Sequence, residues 1–186
     1  LLVNSLESSL TTFTLVPIPL FILMGEIMFH TGVAPKMLNT LEKWLGNIPG
    51  RLSLLAISGG TLLSTLTAST MATTAMLGST LVPEMERKKY HKSMSIGPVL
   101  ASGGLAVMIP PSALGVLLAS LGKISVGEFL IAIIIPGLLM SMLFFLYIIL
   151  KVRLHPELTP KYTADSVSFR KKLKDTALYI FPLSII

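Results

Sequence analysis

The chain has 186 residues, 52% of them hydrophobic and 13% charged, with a formal net charge of +6 and no cysteine; its mean hydropathy is +0.79. Apolar runs of this extent exceed what a soluble core uses, so the composition is that of an integral membrane protein and argues against a soluble helical bundle. Absence of cysteine excludes a disulfide framework or a thiolate-bound metal and fits either redox compartment.

The basic residues cluster in loops. Arg87, Lys88, Lys89 and Lys92 fall in one polar stretch, and Lys151, Arg153, Lys161, Arg170, Lys171, Lys172 and Lys174 in another. That distribution follows the positive-inside pattern of membrane proteins and argues against nucleic acid as a partner.

Residues 4–14 are polar, and residues 15–29 form the first apolar run, with Pro17 and Pro19 near its start, where proline is tolerated. Glu26 lies inside that run. An intramembrane carboxylate is a functional candidate by default, but its place four residues before His30 favours the headgroup level. Thr31-Gly32 turns the chain. In residues 34–45, Met37, Leu38, Leu41, Trp44 and Leu45 recur at spacings of three and four, with Lys36, Asn39, Glu42 and Lys43 elsewhere around the helix. This amphipathic helix is expected to lie in the bilayer interface, with docking on another subunit as the rival.

After the Gly46 to Gly50 turn and Arg51, residues 52–85 have apolar ends and a centre of Ser, Thr, Ala and Gly, without a charge until Glu84. Each arm, 52–66 or 71–85, reaches ~22 Å at 1.5 Å per residue, short of the ~30 Å hydrocarbon core. Two half-length helices meeting at Thr67-Ala68-Ser69-Thr70 would form a re-entrant hairpin. Non-helical backbone at membrane depth is tolerated where it is buried in protein or lines a wet cavity, which makes the tip a candidate binding site. The rival reading is that these small residues only let helices pack closely.

Residues 93–121 form another apolar segment, with Pro98 early in it. Gly103, Gly104, Pro110, Pro111 and Ser112 interrupt it. Proline removes a donor and clashes with the carbonyl four residues back, so the helix is expected to break across residues 103–112 and leave carbonyls free. Residues 129–150 carry no charge over a length sufficient to span, with Pro136 as a kink.

No enzyme constellation is present. His30, His91 and His155 are far apart in sequence, and the chain has no H-E-x-x-H, no G-x-S-x-G and no phosphate-binding P-loop. The remaining chemistry is hydroxyls and freed carbonyls at membrane depth, which can hold a hard cation.

These motifs together resemble the large membrane subunit of the tripartite ATP-independent periplasmic (TRAP) transporters, whose usual hairpin reads S-G-S-S-x-A-x-x-A-x-x-G-S-x-L-I-P-E-M. Here the positions are Thr67-Ala68-Ser69-Thr70-Met71-Ala72, Ala75, Gly78-Ser79 and Leu81-Val82-Pro83-Glu84-Met85. The family's G-x-x-I-P-P-S element is matched within the stretch from Gly104 to Ser112. Pro17-Ile18-Pro19, Ile48-Pro49-Gly50, Ser125-Val126-Gly127-Glu128-Phe129 and Pro136-Gly137-Leu138 follow the family's order. The resemblance implies an all-α integral membrane protein with a re-entrant helical hairpin and a broken helix, one half of an inverted-repeat, ion-transporter-like fold. Residues 1–150 would be the first repeat, with the amphipathic helix at 34–45, the hairpin at 52–85, the broken helix at 93–121 and a spanning helix at 126–150. Residues 151–175 would be a cytoplasmic basic linker and 176–186 the start of the next transmembrane helix. The chain begins without methionine and ends within an apolar run, as expected of an N-terminal-repeat fragment.

For function the resemblance implies a sodium-driven importer of an organic acid, such as a C4-dicarboxylate or sialic acid, in the inner membrane of a bacterium or archaeon. The acid would be delivered by a periplasmic solute-binding protein, and a small membrane subunit would be a partner. Alternatives are a binding-protein-independent anion symporter and a non-transporting packing subunit. The expected substrate and ion site comprises Thr67, Ala68, Ser69 and Thr70 with Gly103, Gly104, Ile109, Pro110, Pro111 and Ser112. Ser69, Gly104 and Ser112 are the expected sodium ligands, and no other cofactor is expected. Ala68 stands where the family usually has glycine and Thr67 where it has serine. If that position takes a positive φ, alanine is strained there.

Overall fold

The computed structural model describes residues 17–46, 48–67 and 69–160. Their regular elements are all helical: α1 (Pro17–His30), α2 (Val33–Leu45), α3 (Arg51–Thr67), α4 (Thr70–Arg87), α5 (Lys92–Met108), α6 (Ala113–Leu121), α7 (Val126–Leu154) and a 3-10 turn, Pro156–Leu158.

The α3 helix is the centre of the bundle, packing against α1, α2, α4, α5 and α7. Leu52, Leu54, Leu55, Ala56 and Ile57 are all buried, as expected of a helix that neighbours surround on several sides. Small residues set how closely its neighbours approach, since packing of this kind depends on van der Waals contact. A Cβ on Gly59 would overlap Leu38 of α2, and one on Gly60 would overlap Ser102 of α5.

The turn into α2 is made by Gly32 in the left-handed region, φ 69°, a conformation that suits glycine. The apolar stripe forms as the spacing predicts. Met37 and Leu38 are buried in the chain's own core against α3, leaving Trp44 as an exposed part of that face. Helical period reports an apolar face but not whether lipid or protein covers it.

On α4, Thr73, Met76, Leu77, Leu81 and Met85 are buried at helical spacing and meet α3 and α5. The hairpin's outer ends lie together, because the Leu52 N–H donates to the hydroxyl of Tyr90, 3.4 Å away. Here Leu52 lies in the first turn of α3 and Tyr90 follows α4. The same end receives the far end of α7: a Cβ on Gly50 would meet Val152, and the His91 N–H donates to the Leu158 carbonyl at 3.0 Å.

Among the described residues α7 is long and apolar enough to cross a bilayer, and α5 with α6 passes the same test as a pair bent by 44°. At 1.5 Å per residue α7 extends ~43 Å. It exposes Ile131, Ile135, Leu139, Met142 and Leu146, while Lys151 and Arg153 occupy its last turn, where cations complement the helix dipole.

Candidate functional site

The hairpin tip is built by a helix start. Ser69 is extended, φ −133° and ψ 124°, and its hydroxyl accepts from the Ala72 N–H at 3.3 Å, satisfying one of the four donors that a helix start leaves open. Its carbonyl accepts from the Thr73 N–H at 3.1 Å. Thr70 begins α4, Thr67 ends α3, and Ala68 lies outside the described residues, as does the question of its φ.

Facing this turn is α5. Gly103 is buried, and a Cβ there would overlap the Thr74 Oγ1 and lie 3.3 Å from the Thr70 carbonyl oxygen. The two predicted stretches therefore meet backbone to backbone, with Gly103 against the first turn of α4. Thr74 completes that contact and was not among the expected site residues.

The break in the second stretch is narrower than the sequence suggests. Helix α5 runs through Gly103 and Gly104 to Met108, and the Ile109 N–H still donates to the Leu105 carbonyl at 3.0 Å. Two glycines weaken a helix by about 1 kcal/mol each relative to alanine, which packing outweighs here. The prolines terminate it. Pro110 and Pro111 have no N–H to offer the carbonyls of Ala106 and Val107 four residues back, and the peptide bond between them is cis. Gly104 is exposed, inside the helix, and nothing lies within 4 Å of a Cβ built on it. Its carbonyl is in register to accept from the Met108 N–H.

Beyond the break Ser112 caps α6, its hydroxyl accepting from the Gly115 N–H at 3.0 Å, and it is 1% exposed. Ile109 is buried, and Pro110 and Pro111 are half-buried. Support comes from α7, where a Cβ on Gly137 would lie 2.6 Å from the Met108 carbonyl oxygen. Gly137 was named from the sequence beside the Pro136 kink and in the Pro136-Gly137-Leu138 match, not as a site residue. Gly103 and the freed carbonyls are three and four residues apart on one helix, ~4.5–6 Å along its axis.

The arrangement offers oxygens without formal charge. Ser69 and Ser112 contribute hydroxyl oxygens, each of which caps a helix, and the Ala106 and Val107 carbonyls lack their helical donor. No group of three His, Cys, Asp or Glu suited to a metal occurs among the described residues. Such a donor set suits a hard cation of low charge better than a transition metal. The N-termini of α4 and α6 each carry a positive dipole end.

The whole chain, residues 1–186, matches the family model "Tripartite ATP-independent periplasmic transporter, DctM component". It is 38% identical over 128 residues to a Haemophilus influenzae protein assigned as a TRAP transporter large permease, covering 69% of this chain and 32% of that one. It is 34% identical over 146 residues to the C4-dicarboxylate TRAP transporter large permease protein DctM of Pseudomonas aeruginosa, with 77% and 34% covered. With the ectoine TRAP transporter large permease protein TeaC of Halomonas elongata it shares 31% identity over 149 residues, 80% and 35% covered. The chain spans about a third of the length of these relatives.

Proposed function

We propose, for a chain that belongs to the DctM component family of tripartite ATP-independent periplasmic transporters, that it forms the first repeat of a sodium-driven importer of an organic acid. The observation that carries this reading is the pairing of the α4 start with α5 through Gly103, next to the carbonyls that Pro110 and Pro111 leave without donors. Unwound backbone at such a junction is a means of binding a coupling ion and an anion together in transporters of inverted-repeat design.

In this reading the α3–α4 hairpin enters and leaves the bilayer by one face, and the basic ends of α4 and α7 lie on the cytoplasmic side of an inner membrane. Main-chain oxygens at 106 and 107 join Ser69 and Ser112 around sodium, and the dipoles of α4 and α6 receive the substrate carboxylate. Gly104 is a poorer ligand than the sequence suggests, since its carbonyl falls within the regular helix. Relatives named for C4-dicarboxylate and for ectoine support a chemical class rather than one acid. A periplasmic binding protein and a small membrane subunit complete the assembly.

Counterflow of labelled acid into liposomes holding the complete permease and its small subunit, under an imposed sodium gradient, tests this. Uptake is expected to need both sodium and added binding protein. Uptake without binding protein identifies the independent symporter instead, and no uptake under any gradient leaves a packing subunit.

A further inference from the structure

We propose that a groove on the flank of the bundle binds an anionic phospholipid, one acyl chain lying along its apolar walls and the phosphate resting at Lys151. The groove has a volume of about 580 Å³ between α3, α5 and α7, with Ile57, Ala101 and Phe144 in its walls and Ser93, Tyr147 and Lys151 at one end. Polarity is thus segregated to a single end, as in an amphiphile.

Lys151 is held over that end. Its ammonium donates to the Tyr147 hydroxyl at 3.0 Å and lies 5.2 Å from the centroid of the same ring. An ammonium has three donors, and this bond uses one. The half-exposed tyrosine is a residue type that favours the headgroup level. Charge around the groove end also matches an anion: residues 84–93 and 147–157 carry six lysines and arginines against three carboxylates. Two of those carboxylates are engaged, Glu84 by Lys88 and Glu157 by His155.

From Leu143 to Lys151 the groove wall runs ~12 Å along α7, a length that an acyl chain lying beneath a phosphate at Lys151 can follow. Exposed leucine and isoleucine flank the groove on α7, so a lipid reaches it laterally without crossing polar surface.

Native mass spectrometry of the complete permease, exchanged into micelles with equal phosphatidylglycerol and phosphatidylcholine, tests the assignment without requiring transport. Phosphatidylglycerol is expected to be retained about fivefold over phosphatidylcholine, the preference one lysine near an anionic surface provides. Lys151→Ala should reduce the ratio to near parity and Lys151→Arg should keep it. Ala101→Phe, or Leu143→Trp at the more exposed wall, should reduce retention of both lipids. Equal retention by the wild type, or a preference that persists in Lys151→Ala, overturns the proposal. So does retention indifferent to both groove-filling variants, the result expected if another segment of the complete permease occupies the groove.

Discussion

The Ser53 hydroxyl donates to the Met94 carbonyl at 2.5 Å, joining α3 to the carbonyl that Pro98, four residues on, leaves without its helical donor. A buried acceptor without a partner costs about 1–3 kcal/mol, so this side chain makes proline tolerable inside α5. Ser53→Ala should therefore destabilise the permease by about that amount in detergent unfolding. In a Pro98→Ala background, where the N–H is restored, the same substitution should cost distinctly less. Equal losses in both backgrounds would show that the two residues are not coupled.

Gly103 and Gly104 are adjacent but should respond oppositely. A methyl on Gly103 meets Thr74 and the Thr70 carbonyl, and neither yields readily because one is β-branched and the other is main chain. Gly103→Ala should cost about 1–3 kcal/mol through overpacking. At Gly104 the methyl meets nothing within 4 Å, and Gly104→Ala should be neutral or stabilise by up to ~1 kcal/mol through helix propensity. Its sodium dependence should match the wild type. A large loss of melting temperature in Gly104→Ala with none in Gly103→Ala contradicts the packing described here.

These residues also mark what the sequence reveals. Helical segments and the stops at Gly32 and Pro110 are legible because period, glycine and proline act locally. The start of the break is not: a glycine pair reads as a weak point, but at Gly103 the missing side chain is needed by Thr74, more than twenty residues away. The Ser53 bond and the Gly137 contact with Met108 are likewise long-range. For the site, Ser69 and Ser112 were named for their hydroxyls, and the structure shows each capping a helix. A serine placed just before a helical run carries that signal.

The bond between Leu52 and Tyr90 places both outer ends of the hairpin at one end of the bundle, and α5 with α6 then leads away from it. In the cysteine-free chain, and in a complete permease made cysteine-free, Lys92→Cys should resist an impermeant thiol reagent added to intact cells, while Lys123→Cys should react. Arg51→Cys should behave as Lys92→Cys does. External labelling at position 51 with protection at position 92 rules out a hairpin that enters and leaves by one face.

The two capping serines allow structural and ion-binding roles to be separated. Removing a serine cap with alanine costs about 1 kcal/mol, whereas glycine in the same place costs only a few tenths, since glycine leaves the open N–H groups accessible to solvent. Both changes delete the hydroxyl. If Ser69 and Ser112 ligate sodium as well as cap, Ser69→Gly should raise the sodium concentration for half-maximal uptake severalfold while leaving melting temperature nearly unchanged, and Ser112→Gly, where the cap is buried, should do so with a loss of about 1–3 kcal/mol from the unsatisfied Gly115 N–H. Ser→Thr at each position, which restores a hydroxyl, should return the sodium dependence toward the wild type. If the glycine variants keep the wild-type sodium dependence, the serines serve α4 and α6 alone. The ion would then have to be held by main-chain oxygens at the break, where Pro110 and Pro111 leave two carbonyls without donors.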